Sequence, residues 1–235
     1  MKIIAVIPAR GGSKGIPEKN LSIIKNYTLI EWSIRIAQKT SEIDEVYVDT
    51  DNPKIYELAK SYGCIVPRLR PDHLSQDDTK IIDSLTNFLS IISSPKSSKN
   101  ICVVLLQPTN PFRKSNEISN AIRLWYKYQG KKSIYTVCEP LQSPKDFIKF
   151  SKFKYWKPAF TRNFRITNRQ DISKIWFISG SIYVFSHYFL LKKKAIVTRF
   201  SSKFIETDII SGVDIDTQLD LEIANALAKS FSLKC

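Results

Sequence analysis

The chain has 235 residues, 43% of them hydrophobic, which is enough for one domain with a substantial buried core. Lys and Arg number 36 against 22 Asp and Glu, and the formal charge of +14 suits a surface that meets polyanions: nucleotides, acidic sugars, nucleic acid or anionic lipid. Four separated cysteines with no CxxC pair argue against zinc and for a reducing compartment, and no apolar run approaches a membrane span, so a soluble cytoplasmic protein is expected.

The opening run Ile3 to Pro8 stops at a proline and is followed by Arg10, too short for a secretory leader, and reads as a strand. Helical segments then alternate with short β-branched runs: Leu29 to Thr40, Val46 to Thr50, Lys54 to Tyr62, Ile101 to Leu106, Glu117 to Tyr128. That alternation predicts βαβ units, hence an α/β fold with a mostly parallel sheet covered by helices on both faces. In the first helix Leu29, Ile30, Ser33, Ile34 and Ala37 recur at three- and four-residue steps and mark the buried face.

From Pro140 to Lys174 the pattern breaks, and aromatics such as Phe147, Phe150, Tyr155 and Trp156 interleave with Lys and Arg. Such a stretch suits stacking of single-stranded bases, but apolar surface on an inserted segment more often makes a protein interface. The expectation is a single domain over 1–235 with a 140–174 excursion that joins two copies. Ser181 to Phe185 and Ala195 to Phe200 read as strands that return to the core. Thr217 to Phe231 reads as a closing helix with Leu219, Ile223, Ala226, Leu227 and Ser230 on its inner face.

The chemistry is concentrated in Pro8-Ala9-Arg10-Gly11-Gly12-Ser13-Lys14-Gly15-Ile16-Pro17-Glu18-Lys19-Asn20, directly after the first strand. Its glycines let backbone amides approach an anion, and Arg10, Lys14 and Lys19 add full charges, a combination suited to a triphosphate. It is neither the Walker GxxxxGK[ST] loop nor the dinucleotide GxGxxG fingerprint, so neither an ATPase nor a dehydrogenase is indicated. A place at the carboxyl end of a strand is where open α/β sheets bind ligands. Near the other end, Asp214-Ile215-Asp216 on an extended segment puts two carboxylates on one face with Ile215 inward. Two carboxylates with substrate phosphate oxygens and water suit Mg²⁺.

The glycine segment resembles the opening signature of the acylneuraminate cytidylyltransferases, the CMP-sialic acid synthetases. Thr50-Asp51, Arg70-Pro71, Leu106-Gln107-Pro108-Thr109-Asn110-Pro111-Phe112-Arg113, Arg169-Gln170-Asp171, Gly180-Ser181-Ile182-Tyr183 and Asp214-Ile215-Asp216-Thr217 follow in that family's order. The resemblance implies a Rossmann-like nucleotidyltransferase with a dimerisation arm, transferring CMP from CTP to a sialic-acid-like nonulosonic acid and releasing pyrophosphate. It implies that Arg10, Gly11, Gly12, Ser13, Lys14, Asn20, Arg70 and Thr79 meet the nucleotide and that Gln107 faces the acceptor. It further implies that Lys19, Arg169 and Asp214 act in catalysis, and that Asp214 and Asp216 hold Mg²⁺. Asp49 and Ser179 depart from the family's usual serine and asparagine. Legionaminic, pseudaminic and Kdo acceptors stay open, as does, from a different class, a basic nucleic-acid-binding module, which leaves the glycine loop and the aspartates unexplained.

Overall fold

The computed structural model describes residues 1–94, 96–142, 147–150, 156–159 and 174–233. Strand β1 (Lys2–Pro8) is buried on both faces, as a continuous apolar run in a covered sheet must be. The hairpin β2 (Ile23–Ile24) and β3 (Tyr27–Thr28) leads into helix α1 (Leu29–Lys39). Thr28 and Glu31 form a capping box that satisfies the first free amides of α1. β4 (Glu45–Asp49) follows, then α2 (Pro53–Ser61), which starts with Asn52 as cap and Pro53 in its first turn. Next come α3 (Ile81–Ile92), β5 (Ile101–Leu105), α4 (Ser115–Lys127) and β6 (Ser133–Cys138). The short pair β7 (Ile148–Phe150) and β8 (Trp156–Pro158), β9 (Phe177–Ser186), α5 (His187–Lys193), β10 (Ser202–Glu206) and α6 (Gln218–Ser230) complete the order.

The main sheet has the order β10-β6-β9-β5-β1-β4. β1 is parallel to β4 and β5, and β10 is parallel to β6, whereas β9 lies antiparallel between β5 and β6. The sheet is therefore mostly parallel, as the alternation implies, with one reversed strand inside it.

Period-two alternation divides the core. Ile3, Ala5 and Ile7 of β1 face α1, α2 and α4, while Ile4 and Val6 face α3 and α5. All five residues expected on the inner face of α1 are buried. A third cluster gathers Ile16, Ile24, Trp32, Phe112, Ile215 and Ala224, tying the glycine loop, the β2–β3 hairpin and α6 together. Trp32 is 2% exposed and stands edge-on to Phe112, and burying a side chain of that kind contributes about 1.5–3 kcal/mol or more.

Two expectations are corrected. Ala195 to Phe200 is a turn-containing connection, and the edge strand is β10 instead, with largely exposed residues. The inner face of α6 is built on Ala224 and Ala228, while Leu219 and Ile223 are 63% and 47% exposed. Small residues let α6 approach the hairpin closely, and that spacing overrode the larger apolar side chains. Cys64, Cys102 and Cys138 are buried free thiols, as expected. Much of the 140–174 excursion lies outside the described residues, Arg169 included.

Candidate active site

A cleft of about 330 Å³ opens at the carboxyl ends of β1, β4 and β5. One wall is the loop after β1, which close backbone approach shapes. The Gly11 amide donates to Asp51 Oδ1 at 2.8 Å, and a β-carbon on Gly11 would come within 2.8 Å of the Asn52 side chain. Asn52 caps α2, so the loop is fastened to that helix start. Gly12 and Ser13 line the cleft, and Gly12 has no neighbouring atom within 4 Å of a β-carbon position. Asn20 is 8% exposed and donates to the Arg10 carbonyl at 2.8 Å, closing the loop on itself.

The loop's cations are engaged by carboxylates. Arg10 pairs with Asp77 at 2.9 Å and donates to the Gln76 carbonyl at 3.1 Å; Lys14, far more exposed, reaches the other oxygen of Asp77 at 3.2 Å. These contacts hold the Asp77 carboxyl below its ordinary range, Lys14 contributing most. Lys19 is 13% exposed and donates to Asp216 Oδ1 at 2.8 Å and to the Ile215 carbonyl at 2.9 Å. The glycine loop and the aspartate pair, almost two hundred residues apart in the chain, thus meet through one ammonium.

Arg70 is a structured residue. Its guanidinium pairs with Asp49 Oδ2 at 2.9 Å and donates to the Asp49 carbonyl at 2.8 Å, with side chains 6% and 3% exposed. Ser84 donates to Asp49 Oδ2 as well, at 2.8 Å. Asp49, which departs from the family's usual serine, is the buried counter-ion of Arg70, while Arg70 and Ser84 both line the cleft. Thr79 lines it too, and its hydroxyl donates to the His73 carbonyl at 3.4 Å.

Gln107 lies on the opposite wall. Arg113, 3% exposed, donates to the Gln107 carbonyl, to Ser181 O at 3.0 Å and to Ser33 Oγ at 2.8 Å. Burial among neutral acceptors pushes its pKa down to about 9. Asn110 is fully buried and donates to the Ser179 and Val213 carbonyls at 3.1 and 2.9 Å, joining β9 to the aspartate segment. Ser179 is turned inward, donating to Thr136 Oγ1 at 2.7 Å. Gly180, at φ 78, brings backbone so close that a β-carbon would lie 3.4 Å from Gln107 Oε1 and 3.3 Å from Asn110 Oδ1.

Asp214, Ile215 and Asp216 lie in an irregular segment rather than a strand, yet burial alternates as expected: Ile215 is 0% exposed and both aspartates face the cleft. The Asp214 carboxyl is pushed above its ordinary range, mainly by desolvation and further by the Asp216 charge, against the pull of Thr109 and Lys19. Among the described residues no group of three or more His, Cys, Asp or Glu is placed to hold a metal ion, so a closed protein cage is not built here. Two hard oxygen donors in a cleft lined by cations fit Mg²⁺, which keeps water and shares substrate phosphate oxygens. Of the sequence-derived candidates, Gly11 and Lys14 do not line the cleft, Gly11 being tied to Asp51 and Lys14 reaching its edge through Asp77; Arg169 lies outside the described residues, and the rest line the cleft together. Sequence reasoning missed Asp77, Gln76, Ser84 and Arg113 as parts of the site; only the position of Arg113 inside a matched motif could have pointed to it.

The chain matches the family described as Cytidylyltransferase over residues 4–226. It is 31% identical over 229 residues to the CMP-N,N'-diacetyllegionaminic acid synthase of Legionella pneumophila, covering 97% of this chain and 96% of that protein. It is 32% identical over 226 residues to an N-acylneuraminate cytidylyltransferase of Escherichia coli, covering 95% of this chain and 51% of that longer protein. In structure it resembles CMP:2-keto-3-deoxy-manno-octonic acid synthetase complexed with CTP, with a TM-score of 0.72, 16% identity, and 98% of this chain and 100% of that chain covered. The fold is accordingly the Rossmann-like nucleotidyltransferase fold.

Proposed function

Since the chain belongs to the cytidylyltransferase family, we propose that it transfers CMP from CTP to an acidic nine-carbon sugar of the nonulosonic class, releasing pyrophosphate. The carrying observation is the convergence in one cleft of the glycine loop, its cations and the Asp214–Asp216 pair, with Lys19 spanning both.

The anomeric hydroxyl of the sugar acid attacks the α-phosphorus of CTP; a new P–O bond forms, the bond to the β-phosphate oxygen breaks, and pyrophosphate leaves with the electron pair. Amides of Gly12 and Ser13 with Arg10, Lys14 and Lys19 hold the phosphates and neutralise charge that develops on them, while the Gly11 amide fixes the loop through Asp51. Asn20, Arg70 and Thr79 position the nucleoside, Arg70 from the rigid seat that Asp49 and Ser84 provide. Gln107 faces the acceptor from a wall pinned by Arg113. Asp214 is the carboxylate to which the attacking hydroxyl's proton passes. Mg²⁺, when bound by Asp214 and Asp216, supplies positive charge against the phosphates. Catalysis comes mainly from positioning and electrostatics, with no covalent enzyme intermediate. Arg169 completes the set as a further catalytic cation.

The protein works as a homodimer joined through the 140–174 excursion. In support, Leu141 and Phe150, among its described residues, are 80% and 76% exposed, apolar surface that a partner would cover. No helix among the described residues is long and apolar enough to cross a membrane, and the buried thiols suit the reducing cytoplasm. Pyrophosphate release from CTP with N-acetylneuraminic, legionaminic, pseudaminic and Kdo acids tests the assignment. Turnover with a nonulosonic acid well above Kdo supports it, and release with none of the four refutes it.

A further inference from the structure

The end of the sheet opposite the cleft holds a second concave site. There the connections α3 to β5 (93–100) and α4 to β6 (128–132) meet α5 and the segment after it (187–201). These three stretches contain Lys96, Lys99, Lys131, Lys132, Lys192 and Lys193 among other cations and not one Asp or Glu. Between them lies a pocket of about 470 Å³ lined by Lys99, Lys131, Lys192, Lys193, Tyr188 and Trp125. The volume lies within the range of small-molecule sites.

Three features set the pocket apart from a solvated charged surface. Among the described residues, no ion pair joins any of its four lysines to a carboxylate. Lys99 and Lys192 instead sit 5.1 and 5.8 Å from the Tyr188 ring centre, so one ring gathers two ammonium groups that repel each other. The turn closing α4 places Gln129 and Gly130 in left-handed conformation, and a β-carbon on Gly130 would stand 2.9 Å from the Trp125 ring. Trp125 lines the pocket with its indole N–H buried and without a partner, a donor that native structures seldom leave unsatisfied.

We infer that this pocket binds a small oligophosphate anion, either pyrophosphate or the phosphate tail of a nucleotide, at a site separate from the cleft. Lysines act as compact, strongly charged phosphate partners, and gathering several without counter-ions around a concavity favours a multivalent anion over a monovalent one. A concavity bounded by three stretches of chain fits a small anion better than the extended stripe that a nucleic-acid backbone follows.

The test is calorimetric titration of the full chain with tripolyphosphate in four forms: wild type, the cleft variant Arg10→Gln/Lys19→Gln, the pole variant Lys99→Gln/Lys192→Gln/Lys193→Gln, and the two combined. The cleft variant should keep one site that the combined five-substitution protein lacks. The pole variant should lose at least tenfold in affinity at one of two sites while keeping its thermal melt, with tightness at that site falling as salt is raised. Repeating the cleft-variant titration with pyrophosphate and with CTP separates the sources: equal binding means that only the phosphates are read, and tighter CTP means that the nucleoside is read too. Tripolyphosphate binding to the cleft variant that survives the three pole substitutions overturns the inference. So does a pole variant whose only loss is toward random single-stranded oligonucleotides or phosphatidylserine vesicles.

Discussion

Gly15 passes so close to Asp216 that a β-carbon on Gly15 would stand 2.1 Å from the Asp216 carbonyl oxygen. Real atoms do not approach that closely, so Gly15→Ala must push the glycine loop and the aspartate segment apart. Both sides of the cleft move, and the Lys19–Asp216 contact at 2.8 Å moves with them. The expected result is at least a tenfold fall in kcat/KM for CTP, corresponding to about 1.4 kcal/mol of transition-state stabilisation. Gly12→Ala, with open space around it, should melt with the wild type. Steady-state kinetics and thermal melts of the two variants check this.

Asp214→Asn and Asp216→Asn keep side-chain size and remove charge. Each should lower turnover roughly a hundredfold, the scale of one preorganised electrostatic contact of about 3 kcal/mol. Raising Mg²⁺ should restore part of the rate in the variant that merely binds the ion more weakly, and exhaustive chelation should stop the wild type. Glu222→Gln, on the exposed side of α6, should match the wild type. Rates measured against Mg²⁺ concentration, with circular dichroism for folding, decide it.

Asp77 pairs with both Arg10 and Lys14, the cations proposed to hold the CTP phosphates, and so would compete with phosphate for them. Removing its charge in Asp77→Asn should free both cations and lower the KM for CTP while leaving kcat in place. The pair is exposed and screened, so the gain should be about fivefold at most and should shrink as salt is raised. Initial rates at two ionic strengths measure it.

His187 is 1% exposed, its Nδ1 lies 2.6 Å from Ser93 Oγ and its Nε2 has no partner. Desolvation lowers its pKa from the ordinary histidine value. A group with a depressed folded pKa adds stability above its unfolded pKa of about 6.5 and loses it as pH falls through the folded one. Stability should therefore decline below about pH 6.5, before the native carboxylates that sit below their ordinary range, such as Glu31 and Asp208, begin to protonate. Urea denaturation from pH 7.5 to 5 should show this slope in the wild type and a flatter one in His187→Gln.

What the sequence made legible was local. β1, α1, β4, α2, β5 and α4 each carry a short local pattern, and the glycine loop, directly after β1, and the aspartate pair are short motifs. α3 was not anticipated, because Ile81, Ile82, Ile91 and Ile92 give it a β-branched composition that blurs a helical period. The edge strand β10 escaped because its exposed residues carry no apolar alternation. The pairing of Asp49 with Arg70 and of Lys19 with Asp216 joins distant parts of the chain, and nothing in the spacing announces either contact. Ser179 departs from the family's usual asparagine, and nothing in the sequence shows that its hydroxyl turns inward to Thr136 while its carbonyl accepts from Asn110.

The central claim is attack on the α-phosphorus of CTP by an acidic nine-carbon sugar, and it is tested most directly by following label from CTP incubated with protein, Mg²⁺ and each nonulosonic acid. The account predicts that α-labelled CTP places its label in a sugar nucleotide while γ-labelled CTP delivers all of its label to pyrophosphate. Label from the γ-position appearing on the sugar, or no sugar nucleotide from any nonulosonic acid, would contradict it.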